Sequence, residues 1–116
     1  MDPCKVRAAI DEIYDGVVAL RRDIHMHPEL SQKEERTMRV ISERLTALKI
    51  PHETNVAGYG IVATVGDPHA THAVGIRADI DALPIQEEND IPYASKVPGV
   101  MHACGHDIHT ATLLGA

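Results

Sequence analysis

Three residues that can bind a metal alternate near the end of the chain: His102, Cys104 and His106. In an extended segment alternate side chains share a face, so all three would point to the same side. If a helix begins near His106, His109 lies one turn further on the same face. Imidazole and thiolate suit zinc and neighbouring transition metals, and Gly105 allows a tight backbone turn between two ligands. Spacing alone fits a metal site and an accidental His-rich loop equally well.

Two carboxylates follow an apolar run that we predict to be a buried strand. Asp79 and Asp81 come directly after residues 74–78, and ligands in open α/β sheets sit beyond the carboxyl ends of strands. Asp79 could orient a metal-bound imidazole, and Asp81 could do the same or close a loop. Both could equally satisfy backbone donors after the strand. Arg77 could pair with either carboxylate or grip a substrate carboxylate, and structural pairing is our preferred interpretation.

A second pair of histidines, His25 and His27, stands just before Pro28. Their side chains could approach the predicted metal-binding segment, residues 101–107, which we call the metal loop. They could instead finish a helix, because a histidine near a helix C-terminus interacts favourably with the helix dipole. We prefer the structural interpretation for both. Cys4 is interpreted as a passive thiol near the N-terminus.

Hydrophobic periodicity predicts helices in the first half of the chain. Apolar residues recur every three or four positions up to Pro28, which predicts an amphipathic helix. Residues 31–34, Ser-Gln-Lys-Glu, have the form of a capping box, so a second helix should begin there and stop before Pro51. The predicted apolar faces comprise Val6, Ile10, Ile13, Val17, Leu20 and Ile24 in the first helix, and Met38, Ile41, Leu45 and Leu48 in the second.

The pattern then changes to short β-branched runs. Residues 61–65 and 73–78 are predicted strands buried on both faces, separated by a turn at 66–69, and residues 52–56 are a weaker edge strand. Residues 83–99 should be mostly loop, with a final helix from about Asp107. Two helices, then strands, then a helix that leaves the metal loop predict an α/β fold, one end of an α/β sandwich.

Composition narrows the classes of function. A chain of 116 residues suits one domain, and a net charge of −6 argues against nucleic acid and anionic membrane surfaces as partners. No apolar run approaches a membrane span of about 20 residues, and residues 1–5 lack the features of a signal peptide. Two cysteines do not suggest a disulfide framework, so we expect a cytoplasmic protein with free thiols.

Three ordered motifs carry a family resemblance. Residues 22–31 (RDIHMHPELS), 75–85 (GIRADIDALPI) and 98–110 (PGVMHACGHDIHT) resemble motifs of the hippurate-hydrolase, N-acyl-amino-acid amidohydrolase and auxin-conjugate hydrolase family. The match runs in one register from about Val18 to the end. It implies that residues 1–116 are the N-terminal portion of a catalytic α/β sandwich domain. The remainder of that domain and an inserted domain that makes a dimer contact would lie further along, and we interpret residues 107–116 as an interrupted helix.

The resemblance also implies a site. Cys104 and His106 match two ligands of a pair of divalent metals, manganese or zinc first and nickel or cobalt as alternatives. Asp79 matches an orienting carboxylate, although Arg77 stands where wider relatives have a ligand histidine. The family's remaining ligands and its general base, a Glu pair and further histidines, would lie downstream.

The function implied is metal-dependent hydrolysis of N-acyl amino acids such as hippurate, by a homo-oligomer when full length. We expect residues 1–116 alone to be inactive. One alternative is a small binding module whose structural metal would need His102 or His109 as further ligands. Another is a redox or nucleophilic thiol at Cys104 activated by neighbouring histidines.

Overall fold

The computed structural model describes residues 2–67 and 69–116, so Pro68 of the predicted turn lies outside the described residues. The elements are α1 (Pro3–Met26), α2 (Glu35–Ala47), β1 (His52–Val56), β2 (Gly60–Ala63) and α3 (His106–Gly115). This mixture of helices and strands confirms the predicted α/β class. None of the helices in the described part of the chain combines the length and apolarity needed to cross a bilayer.

Helix α1 follows the predicted periodicity and ends before Pro28. Its first turn is capped by the Asp2 carboxylate, which accepts a 3.0 Å hydrogen bond from the backbone N–H of Cys4. Only its C-terminal part is buried, at Ile24, whereas Ile10 is 49% exposed. The described residues therefore cover the apolar face of α1 near its C-terminal end only.

Helix α2 begins differently from the prediction. Ser31 is not the N-cap; Glu34 takes that position, and no side-chain cap from Glu34 is found in the described structure. The cap comes instead from Glu29, whose carboxylate accepts bonds from the backbone N–H groups of Arg36 (2.9 Å) and Thr37 (2.7 Å). The capping-box prediction was wrong because a carboxylate on the preceding loop reaches the free N–H groups first.

The sheet is smaller than predicted. Strands β1 and β2 form one antiparallel pair, which confirms the strand at 52–56 and shortens the one at 61–65 to Gly60–Ala63. Residues 73–78 form no strand within the described structure, and Val74 and Ile76 are 90% and 72% exposed. A strand needs a neighbouring backbone for its hydrogen bonds, and no described segment supplies one here. The prediction of strands buried on both faces was therefore wrong for these residues, and also for residues 61–65, where Val62 and Val65 are 53% and 80% exposed.

Helix α3 packs against α1. A Cβ atom built on Gly115 would lie 2.8 Å from Cγ2 of Val17, so the two helices approach closely because residue 115 has no side chain. The predicted start of α3 near Asp107 is confirmed. The predicted loop is also confirmed, since residues 84–100 contain neither helix nor strand. This packing holds the metal loop, which leads into α3, against the rest of the chain.

Candidate metal centre

Backbone hydrogen bonds bring the three motifs together. The N–H of Ala82 donates to the carbonyl of Glu29 at 2.8 Å, which joins the first motif to the second. Leu83 and Met101 exchange two bonds of 3.0 Å, which join the second motif to the third. Residues far apart in the sequence are therefore adjacent around residues 79–83.

Cys104 and His106 converge on Asp81. The Sγ atom of Cys104 lies 3.8 Å from the Asp81 carbonyl oxygen, and Nδ1 of His106 lies 3.0 Å from the same atom. The His106 Nδ1 atom also lies 2.9 Å from Oδ1 of Asp81. Both partners of Nδ1 are acceptors, so Nδ1 carries the proton and Nε2 presents a lone pair. An imidazole oriented in this way is the usual form of a metal-ligating histidine.

Asp79 lies on the other side of the same ring. Its Oδ2 atom is 4.0 Å from Nε2 of His106, and its carbonyl oxygen accepts a 3.0 Å bond from the Thr110 hydroxyl. Arg77 pairs with the Asp79 carboxylate and is otherwise largely exposed, which agrees with the structural pairing preferred from the sequence. The structure thus brings both predicted carboxylates to His106, with Asp81 on Nδ1 and Asp79 nearer Nε2.

The side chain of His102 lies in the protein interior. It is only 3% exposed, and neither ring nitrogen has a hydrogen-bond partner among the described residues. Burial lowers the pKa of His102, although the nearby Asp107 carboxylate opposes this effect. The backbone turns at 103–104 rather than staying extended, so the extended segment on which the shared-face prediction rested is not formed.

His109 does not complete a cluster either. It lies one turn beyond His106, with the ring centroids 6.1 Å apart, and its side chain is exposed. Within residues 2–67 and 69–116, no three side chains among His, Cys, Asp and Glu are arranged to hold a metal ion. The four-ligand site that the binding-module alternative requires is therefore not formed by the described residues.

The two histidines of the first motif, His25 and His27, make different contacts. The Nδ1–H of His27 donates to the Asp23 carbonyl at 2.8 Å, which finishes helix α1 as the structural interpretation predicted. His25 instead reaches the metal loop: its Nδ1 lies 2.7 Å from Oδ2 of Asp107, and its Nε2 lies 3.1 Å from Oε1 of Glu87. The preferred structural interpretation is therefore confirmed for His27, whereas His25 makes the approach to the metal loop that was the alternative.

Glu87 is a buried carboxylate that the sequence did not single out. Burial raises its pKa, but hydrogen bonds from the Ser95 N–H, the Asn89 amide and His25 outweigh that effect and hold the pKa below its ordinary value. The Ser95 bond is short, at 2.6 Å. Glu87 lies in a loop rich in proline and charge, where sequence gives no signal that one acidic residue is buried and another exposed.

The donor set fits a divalent metal in part. Cys104 and His106 supply a soft sulfur and an oriented imidazole, which suit zinc and neighbouring metals. Asp81 adds a carboxylate on the Nδ1 side of His106 and Asp79 adds one nearer Nε2. A catalytic zinc usually has three protein ligands and a water, so the arrangement fits part of a metal site rather than a complete one.

Comparison with known proteins identifies relatives of the chain. Residues 75–116 match the family described as peptidase family M20/M25/M40. The chain is 50% identical over 110 residues to YhaA of Bacillus subtilis, covering 95% of this chain and 28% of that protein. It is 46% identical over 111 residues to the N-acyl-L-amino acid amidohydrolase of Geobacillus stearothermophilus, covering 96% and 30%.

A solved structure agrees with these relatives. The YXEP protein of Bacillus subtilis, described as a dinuclear metal-binding peptidase of the M20 family, superposes with a TM-score of 0.84 at 42% identity. The superposition covers 90% of this chain and 29% of that one. The chain therefore spans less than a third of the length of each of these three relatives, and the resemblance predicted from the three motifs is confirmed.

Proposed function

We propose that the chain forms part of a metal-dependent amidohydrolase acting on N-acyl amino acids, because residues 75–116 match peptidase family M20/M25/M40 and the chain is similar to an N-acyl-L-amino acid amidohydrolase. The products would be a carboxylate and a free amino acid. One observation supports this proposal above the others: Cys104 and His106 approach the same carbonyl oxygen, with the imidazole held so that Nε2 is free.

Each residue at the site has a proposed role. Cys104, as thiolate, and His106, through Nε2, are metal ligands. Asp81 fixes the ring of His106 through Nδ1, the role expected from the sequence for Asp79, while the Asp79 carboxylate lies on the Nε2 side, where the metal would bind. When bound, a divalent ion would supply Lewis-acid polarisation of the amide carbonyl and of the attacking water. Both ligands bind as deprotonated atoms, so acid should release the metal.

We propose that the intact protein has further metal ligands and a general base. They would lie in regions that correspond to the parts of the relatives that this chain does not cover. Two ligands do not make a catalytic site, and a general base must stand within hydrogen-bond reach of the attacking water. We expect a Glu pair and further histidines to supply these groups. On this proposal residues 1–116 alone do not turn over substrate.

Further details are carried by relatives and composition. From the family resemblance we propose that the substrates are hippurate-like and that the full-length protein is a homo-oligomer. We also propose that the site holds a pair of manganese or zinc ions, with nickel or cobalt as alternatives. The YXEP description supports two metals, and the Geobacillus relative's name supports the substrate class. A cytoplasmic location fits two cysteines that form no disulfide in the described structure.

Cobalt substitution of the intact protein tests the site directly. A cysteine ligand gives Co²⁺ a sulfur-to-metal charge-transfer band, so Cys104→Ser should abolish the band while Cys4→Ser leaves it unchanged. Cys4 is a matched control because it is an exposed thiol on α1. Release of glycine from hippurate, and of amino acids from their N-acetyl forms, should require added manganese or zinc. A charge-transfer band that survives Cys104→Ser would contradict the proposal.

A further inference from the structure

Four side chains form a buried charge cluster behind the metal loop. Asp107 is fully buried, and His25 and Glu87 are nearly so. His25 stands between the two carboxylates, and Nε of Arg21 lies 2.8 Å from Oδ2 of Asp107. The cluster joins α1, the first turn of α3 and the loop after Leu83.

The buried carboxylates on either side of His25 restrict the position of its ring. An ionised carboxylate only accepts hydrogen bonds, so two ionised partners require a proton on both ring nitrogens of His25. Opposite charges that are buried together stabilise one another, but removal of one partner leaves an uncompensated charge in a poorly hydrated site. His25 is therefore held in one orientation, and it holds Asp107 and Glu87 in turn.

The neighbour of Asp107 in the chain is the candidate ligand His106. Gly105 precedes them with a φ of 83°, a left-handed conformation, and no side chain of Gly105 can cap the helix. Asp81 fixes the ring of His106, but a ring contact does not fix the backbone from which the ring projects. Two described contacts anchor this first turn from α1: the bond between His25 and Asp107, and the ion pair between Arg21 and Asp107.

We propose that His25 is a positioning residue for the metal site, acting through Asp107 to fix the backbone of His106. This inference rests on the proposed role of His106 as a ligand. Glu87 holds the other nitrogen of His25 and orders the loop through Ser95, but it does not touch Asp107. The contacts to Asp107, in which His25 acts beside Arg21, set the ligand's position rather than the cluster as a whole.

Two amide substitutions separate the two contacts of His25. The side-chain nitrogen of asparagine mimics Nδ1 of histidine, so His25→Asn can keep the bond to Asp107 and lose the one to Glu87. The nitrogen of the longer glutamine mimics Nε2, so His25→Gln can keep Glu87 and lose Asp107. Both variants replace the same imidazole with a neutral amide, which makes each a control for the other.

The measurements are the affinity for Co²⁺ and the charge-transfer band in the intact protein, with urea unfolding measured alongside. Loss of an outer partner of a ligand weakens metal binding on the order of 10- to 100-fold. We expect that loss in His25→Gln, and an affinity within about threefold of the wild type in His25→Asn. Equal affinities in the two variants, or a weaker one in His25→Asn, would overturn the proposal.

A second pair of variants covers the case in which His25 cannot be replaced without unfolding. Asp107→Asn should weaken Co²⁺ binding, and Glu87→Gln should not, even if both lower stability. If loss of affinity follows loss of stability in every variant, the cluster is merely structural and the proposal fails. If the wild-type protein shows no Cys104-dependent charge-transfer band, the proposed function itself is wrong. This outcome distinguishes failure of the proposed function from failure of the positioning role of His25.

Discussion

Replacing Glu29 with alanine should loosen the start of helix α2. The Glu29 carboxylate accepts three hydrogen bonds, from the N–H groups of Arg36 and Thr37 and from the Thr37 hydroxyl, at 2.7 to 2.9 Å. It also places negative charge at a helix N-terminus, where the dipole favours it. The same residue's carbonyl holds Ala82, next to Asp81 of the candidate site.

The magnitude follows from the burial of the donors. Arg36 is partly exposed, so water can replace its lost bond, whereas Thr37 is fully buried. A buried donor without a partner costs about 1–3 kcal/mol, and a lost helix cap about 1–2 kcal/mol. Since these overlap at Thr37, we expect a loss of about 2–4 kcal/mol for Glu29→Ala. Glu29→Gln keeps one accepting oxygen and should lose about half as much.

Amide hydrogen exchange measures this loss at the helix itself. A loss of that size corresponds to about 30- to 700-fold faster exchange of the Arg36 and Thr37 amides, since 1.4 kcal/mol is tenfold. Glu43→Gln is the control, because Glu43 is an exposed acid on the same helix. Unchanged exchange at both amides in Glu29→Ala would refute the assignment of Glu29 as the cap, and so would an equal effect of Glu43→Gln.

Three further predictions concern stability, measured by urea unfolding. Gly115→Ala should destabilise the protein by about 1–3 kcal/mol, because the new Cβ would meet Val17. Gly16→Ala, whose new Cβ meets nothing, should stabilise it by about 0.5–1 kcal/mol. Equal effects of the two substitutions would contradict the close helix contact. Gly105→Ala should cost about 1–2 kcal/mol, since φ is 83° but no atom blocks the new Cβ, and Gly105→Asn should cost less. Because the pKa of Glu87 in the folded protein is below its ordinary value of 4.5, its carboxylate stabilises the fold above pH 4.5, and this contribution is lost as pH falls through the lower folded pKa. The wild type should therefore lose its stability advantage over Glu87→Gln in acid. A difference in unfolding free energy that stays constant with pH would disprove the assignment.

The helices were predictable because the information that specifies them is local. Apolar residues at three- and four-residue spacing define the face of α1, and Pro28 limits its length. A strand is different, since its hydrogen bonds belong to another segment. Residues 73–78 have strand composition, but within the described structure they have no partner and remain exposed.

The candidate ligands were predictable for a similar reason. Cys104 and His106 stand in a short motif around Gly105, and motif and family resemblance together select them without knowledge of the fold. Asp81 was harder to separate from Asp79, because both follow the same run and only the orientation of the His106 ring decides which one meets Nδ1.

The chain's own sequence thus determined the helical periods, the choice of candidate metal ligands and the family resemblance. The tertiary structure decided which polar side chains are buried and whom they contact. His25 and His27 are two residues apart, but one caps its helix and the other joins Asp107, which is 82 positions away. Hydrogen bonds of that separation depend on how α1 and α3 pack, and no local pattern records the packing.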